Sequence, residues 1–425
     1  MTRDIKAIMK EMTLEEKAGM CSGRDFWHLK SVDRVGIPEV MVSDGPHGLR
    51  KQDLEDTHPG VNDSIKAVCF PTACATACSF DRDLIYEMGE ALGTECQAEN
   101  VSVLLGPAAN IKRSPLCGRN FEYFSEDPYL AAQIASAEIK GVESKNIGTS
   151  LKHFAANNQE YRRMSVSAEI DERTLREIYL AAFEDAVKEG KPSTIMCSYN
   201  RINGVFSSEN RRLLTDILRN EWGYEGFVVS DWGAINDRPE GVYAGLDLEM
   251  PGGNVTNDAA IVNAVKNGSL DEAVLDTTVE RILNFIFKYI DNRTEAAFDR
   301  EADHKLAQKV AEESIVLLKN DGLLPLSSDK KIAFIGKFAE KPRYQGGGSS
   351  HINSFKTTSA LEAVKEITDV AYAQGYDIVE DVVDETLLTE AVQTAKDADV
   401  AVIFAGLPDK FECEGYDRDH MRIPN

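Results

Sequence analysis

Long hydrophobic runs are missing from this chain. No stretch approaches the roughly 18 apolar residues of a membrane span, and the first twenty residues, MTRDIKAIMKEMTLEEKAGM, hold no apolar core of signal-peptide length. The expected compartment is therefore the cytoplasm. Positive charge is scarce: 47 Lys and Arg face 71 Asp and Glu, and the net charge of −24 disfavours nucleic acid or anionic membrane as a partner while suiting a neutral substrate. The eight cysteines, Cys21, Cys69, Cys74, Cys78, Cys96, Cys117, Cys197 and Cys413, show no disulfide-framework spacing. Cys74 and Cys78 could share a helix face, but two ligands do not make a metal site, and none of the seven histidines forms an HxxxH or HExxH pair. No Ser-His-Asp order, Walker loop or dinucleotide GxGxxG follows a suitable strand, and Gly346-Gly-Gly-Ser-Ser350 does not match the phosphate fingerprints. No metal and no cofactor is expected.

What is present is an alternation of strands and helices long enough for two domains at 425 residues. Strands are expected at 40–43, 101–106, 149–154, 194–198 and 227–229, with one more at 244–249; helices are expected at 84–99, 129–145, 172–188, 211–222, 258–267 and 270–290. So many units in the first two-thirds predict a parallel sheet closed into a (β/α)8-like barrel, with an open doubly wound sheet as the alternative. The expected division is a barrel over 1–295, a polar linker over 296–304 and a second α/β unit over 305–425. In that unit, strands at 332–335, 370–372 and 400–405 alternate with helices at 360–367 and 385–396. Three strands leave a sheet edge unprotected. The second domain is therefore expected to be incomplete, or to be finished by a partner chain or a second copy, and the loop beyond residue 405 to be mobile.

The run Gly226-Phe-Val-Val-Ser-Asp-Trp-Gly-Ala234 delivers a carboxylate, Asp231, and a large aromatic, Trp232, where an apolar strand ends. Its bland reading is a helix cap. Its chemical reading is an anion to meet an oxocarbenium-like centre beside a flat platform for a sugar ring. Other strands end in polar clusters: Ser43-Asp44-Gly-Pro-His-Gly-Leu-Arg50, then Lys152-His153 with a loop carrying Glu160 and Arg163, then Ser198-Tyr199-Asn200. Arg119 stands among aromatics in Gly118-Arg-Asn-Phe-Glu-Tyr-Phe. Singly, each could organise a turn or a surface ion pair. Converging on the C-terminal face of one barrel, they point to a shared pocket. Mixed donors and acceptors suit hydroxyl groups, and the cations are expected to keep a nucleophilic Asp ionised by lowering its pKa.

VSDGPHGLR, GRNFEYFSEDP, KHFAANNQE, MCSYNRING and GFVVSDWGA, in this order, resemble glycoside hydrolase family 3, in particular its β-glucosidases, and GLPDKFECEGYDRDHMRIP is similar to the family's acid/base segment. The resemblance implies a (β/α)8-like barrel with irregular elements, followed by an α/β/α sandwich that lends residues to the site. It implies a retaining mechanism with Asp231 as nucleophile and Glu414 as general acid/base, Glu412 being the alternative. Asp44, Arg50, Arg119, Lys152, His153, Arg163 and Tyr199 would line the pocket for the terminal sugar, with Trp232 beside it and Ser349 reaching in from the second domain. The family's N-acetylglucosaminidase branch carries a His that FAANNQEYRRMS lacks, which favours the glucosidase branch. The implied function is an exo-acting β-glucosidase on β-glucosides or short β-linked oligosaccharides. The alternatives are a catalytically impaired sugar-binding barrel, a related β-xylosidase, and, more distantly, an aldolase using Lys152 as a Schiff base.

Overall fold

Five short parallel strands frame the first part of the chain: β1 (Val42–Asp44), β2 (Val103–Leu105), β3 (Gly148–Phe154), β4 (Thr194–Cys197) and β5 (Phe227–Ser230), adjacent in that order. The structure is a computed structural model and describes residues 3–52, 64–327 and 329–424. Every residue of the five strands is buried, because they are covered on both faces, as parallel sheets require. The sheet closes through three short bridged segments. Leu248 pairs with Val229, Glu249 with Ser22, Gly23 with Leu29 and His28 with Met41, so the chain returns to β1 through an antiparallel turn at residues 23–29. The result is a barrel with irregular staves rather than an open doubly wound sheet. The strand expected at 244–249 is reduced to these bridges, since Ala244 ends a helix begun at Arg238.

Two helices on the outer face show how the sequence sets its own ends. Helix α1 (Arg82–Ala98) starts at Asp81, and α2 (Pro128–Glu143) starts at Asp127 with proline in its first turn; each aspartate accepts two backbone N–H groups. They cross at Gly89 and Gly141, where a Cβ on Gly141 would meet the Tyr86 carbonyl at 2.3 Å. Helix α3 (Glu272–Asp291) buries Leu275, Val279, Ile282, Leu283 and Ile286 against the barrel. The next helix, α4 (Arg300–Glu313), begins inside the stretch read as a linker at 296–304. Its Ala307 and Val310 belong to the barrel core, which is why that polar-looking segment folds.

The second unit is a parallel three-stranded sheet, β6 (Ile332–Ile335), β7 (Val370–Ala373) and β8 (Val400–Ile403), with β6 central. Its core is small. Ile332, Phe334 and Leu361 pack on one face, and Ala333, Ile335, Ala373 and Ala391 on the other. Edge strand β8 is only half-covered, with Ile403 70% exposed.

Candidate active site

Asp231 follows the last residue of β5 and so emerges at the C-terminal rim of the barrel. Its Oδ1 accepts the Trp232 backbone N–H at 2.7 Å, while Oδ2 has no hydrogen-bond partner among the described residues. Asp44, at the end of β1, lies 3.5 Å from Lys152 Nζ and 3.7 Å from Arg50 Nη1. Lys152 and His153 are neighbours in sequence, yet both face the same cavity. The reason is a bulge: β3 pairs with β4 at Leu151↔Ile195 and resumes at Phe154↔Cys197, setting two residues against Met196. Asn110 holds the bulge by accepting the His153 N–H at 2.8 Å and donating to the His153 carbonyl at 2.9 Å.

The second domain supplies the opposite wall. Glu414 Oε1 accepts from Arg163 Nη1 at 2.7 Å and lies 3.6 Å from Arg119 Nη1, and Oε2 accepts the Ser349 N–H at 2.7 Å. Arg119 also pairs with Glu122, and Arg163 with Glu160 at 2.8 Å. The Arg163 guanidinium lies over the Tyr199 ring, 4.8 Å from its centre, and the Tyr199 hydroxyl donates to the Trp232 carbonyl at 3.1 Å. The loop expected to be mobile is thus docked on the barrel.

The cavity between the walls has a volume of about 430 Å³, within the usual range for small-molecule sites. Asp44, Arg50, Lys152, His153, Tyr199, Asp231, Trp232, Ser349 and Glu414 line it, as the sequence reading proposes. Arg119 and Arg163 are not on its wall; they stand behind Glu414. Glu412, the alternative acid/base, is not on the wall either, because its carboxylate pairs with Arg343 at 3.1 Å. Phe26, Trp27, Met196 and Gly348 complete the lining and were missed. Phe26 and Trp27 lie on the segment before β1, where no strand–helix periodicity marks a rim position. Their rings join Trp232, whose indole N–H donates to the Phe26 carbonyl at 3.0 Å, and Trp27 and Trp232 are centred 5.6 Å apart.

Burial raises the Asp231 carboxyl to about 6 and the nearby Glu414 adds to this, against the pull of Arg119 and Lys152. That corrects the expectation that the cations dominate: desolvation outweighs them. Glu414 is the reverse. Burial pushes it up, but Arg119, Arg163 and the Ser349 N–H hold it well below the usual carboxylate range. Burial and the surrounding cations keep His153 neutral, so its 3.8 Å approach to Asp231 is not an ion pair. Asp231 is therefore the more readily protonated of the two, and Glu414 is held in its ionised form.

A parallel strand–helix barrel whose C-terminal rim shares a two-carboxylate cavity with a smaller α/β domain is the class that fold and site define. Residues 33–285 match the glycosyl hydrolase family 3 N-terminal domain and residues 315–425 its C-terminal domain, and the chain belongs to that family. It is 57% identical to thermostable β-glucosidase B of Acetivibrio thermocellus, over all of this chain and 57% of that protein. It is 50% identical to an exo-α-(1→6)-L-arabinopyranosidase of Bifidobacterium breve, over 98% of this chain and 56% of that one. The chain thus spans little more than half the length of these curated relatives. Among solved structures, a family 3 β-glucosidase of Bifidobacterium adolescentis superposes with a TM-score of 0.92 at 50% identity, covering 98% of this chain and 60% of its own. β-Glucosidase 3B of Thermotoga neapolitana, in complex with glucose, gives 0.87 at 35%, covering 99% and 64%.

Proposed function

We propose that this chain carries the catalytic machinery of a retaining, exo-acting β-glucosidase that releases terminal non-reducing β-D-glucosyl residues through a covalent glycosyl-aspartate. One observation carries the reading: Asp231 from the barrel and Glu414 from the second domain face the same cavity. An Asp231 oxygen attacks the anomeric carbon, the bond to the leaving oxygen breaks, and Glu414 gives that oxygen a proton. Water then splits the ester, its proton passing to Glu414 while Asp231 departs as a carboxylate. Ionised Glu414 is already in the base form that the second step uses. The first step draws on the minor state in which the single proton shared by the pair sits on Glu414. Asp44, Lys152 and Arg50 hydrogen-bond sugar hydroxyls, and the Trp232–Phe26–Trp27 cluster offers an apolar platform. The β-glucosidases among the relatives support this reading.

The 50% identical arabinopyranosidase favours a second reading of the same pocket, in which a pentopyranoside without the exocyclic hydroxymethyl group is the substrate. The test is a slow fluorinated glucoside with an activated leaving group. It should add one fluoroglucosyl mass to the peptide containing Asp231, and Asp231→Asn should neither label nor turn over. Labelling elsewhere, or an Asn variant within about tenfold of the parent, would remove Asp231 from its role. Aryl β-glucoside, β-xyloside and α-L-arabinopyranoside, compared by kcat/KM, rank the sugars.

A further inference from the structure

Glu414 hangs from the domain with the smaller core, yet it must meet a carboxylate fixed to a barrel strand. Three residues further on, Asp417 makes contacts that no step of the chemistry uses. Its Oδ1 accepts the backbone N–H of Gly118 at 3.1 Å and of Glu160 at 2.9 Å, and its Oδ2 accepts that of Tyr161 at 2.9 Å. Those N–H groups have no other acceptor among the described residues. Gly118 adjoins Arg119, and Glu160-Tyr161 leads to Arg163, so one carboxylate ties together the backbones that bring both Glu414-binding arginines. The loop lies close against the barrel here: a Cβ on Gly118 would meet the Tyr416 carbonyl at 1.9 Å. Two further hydrogen bonds run alongside, from Gly415 N–H to Glu160 Oε2 and from Arg418 N–H to the Leu116 carbonyl, both 2.8 Å.

We propose that Asp417 is a positioning residue for Glu414, latching the acid/base loop to the two arginine-bearing segments of the barrel. The proposal rests on the reading of Glu414 as acid/base. A carboxylate suits this place because it accepts several N–H groups at once, and charge-assisted bonds of this kind are stronger than neutral ones. Asparagine keeps the shape but presents one acceptor oxygen instead of two. Alanine frees the loop. Misplacing a catalytic group by about 1 Å costs on the order of 100-fold, and here the loss falls on the step that needs a placed proton donor.

The experiment uses the full chain and its Asp417→Ala, Asp417→Asn and Glu414→Gln variants, with cellobiose and 2,4-dinitrophenyl β-glucoside as substrates. Cellobiose needs its leaving oxygen protonated; dinitrophenolate does not. Asp417→Ala should lose roughly 100-fold in kcat/KM on cellobiose while staying within about threefold on the dinitrophenyl glucoside. Asp417→Asn should fall between it and the parent, and hydrogen exchange at residues 412–418 should speed up in the same order. Parental melting and glucose affinity certify the fold, and the Asn variant serves if the Ala variant fails to fold. If Glu414→Gln shows no difference between the substrates, the acid/base reading falls. If Glu414→Gln shows it and both Asp417 variants lose the two substrates equally, or lose neither, the positioning role alone is overturned.

Discussion

In the proposed mechanism the first step needs a proton on Glu414, whereas burial makes Asp231 the more readily protonated of the two. Burial and the neighbouring anion set Asp231 at about 6, whereas two arginines keep Glu414 ionised far below that. The pair loses its last proton as pH rises through about 6. An activated aryl glucoside needs only ionised Asp231, so its kcat/KM should rise through that pH and level off. Cellobiose needs the one proton to remain on the pair, so its kcat/KM should fall through the same pH. Parallel rate profiles for the two substrates would refute this ordering. Glu414→Gln removes a charge that raises Asp231, so the aryl limb should move to lower pH.

At the scale of elements, helix α2 carries a cost unrelated to the site. Glu138 is buried in it, and desolvation alone lifts its carboxyl from 4.5 to about 8. In the unfolded chain the group ionises above about 4.5, whereas in the folded chain it stays neutral to about 8. Unfolding therefore releases a proton in that window. The contribution of this group to stability is full below about 4.5 and declines as pH rises to about 8. Glu138→Gln should melt higher than the parent at about pH 9 and close to it at about pH 4. An equal shift at both values would assign the effect to packing. The bulge in β3 is the element that makes the site, since a regular strand would turn Lys152 and His153 to opposite faces.

In the whole molecule, the two domains are joined by core as well as by charge. Ile352 comes from the second unit, but it is 1% exposed and belongs to the barrel's hydrophobic cluster. The Gln345 side-chain amide accepts the Ile352 N–H at 2.8 Å and donates to the Ile352 carbonyl at 2.9 Å, and Phe355 N–H donates to the Ala67 carbonyl at 2.8 Å. Ser349 sits within this segment. Ile352→Ala should cost about 2–5 kcal/mol and lower one cooperative melting transition. Two separated transitions would mean that the domains unfold independently. The same variant should raise KM through the displaced Ser349 loop.

The sequence by itself determined the strand–helix order and the residues at the strand tips, because apolar runs and their polar ends are local patterns. It identified Asp231, Asp44 and Lys152 as pocket residues for that reason, and motif resemblance carried Glu414. Only the tertiary structure decided how the barrel closes, since residues 248–249 and 22–29 bring the two ends of the barrel segment together with too few contacts to leave a periodic signal. It alone showed that Arg119 and Arg163 reach Glu414, paired Glu412 with Arg343, and added Phe26 and Trp27 to the rim. The Asp231 ionisation also lay beyond the sequence. Desolvation depends on how completely distant segments cover a group, and charge coupling depends on distances that only folding sets.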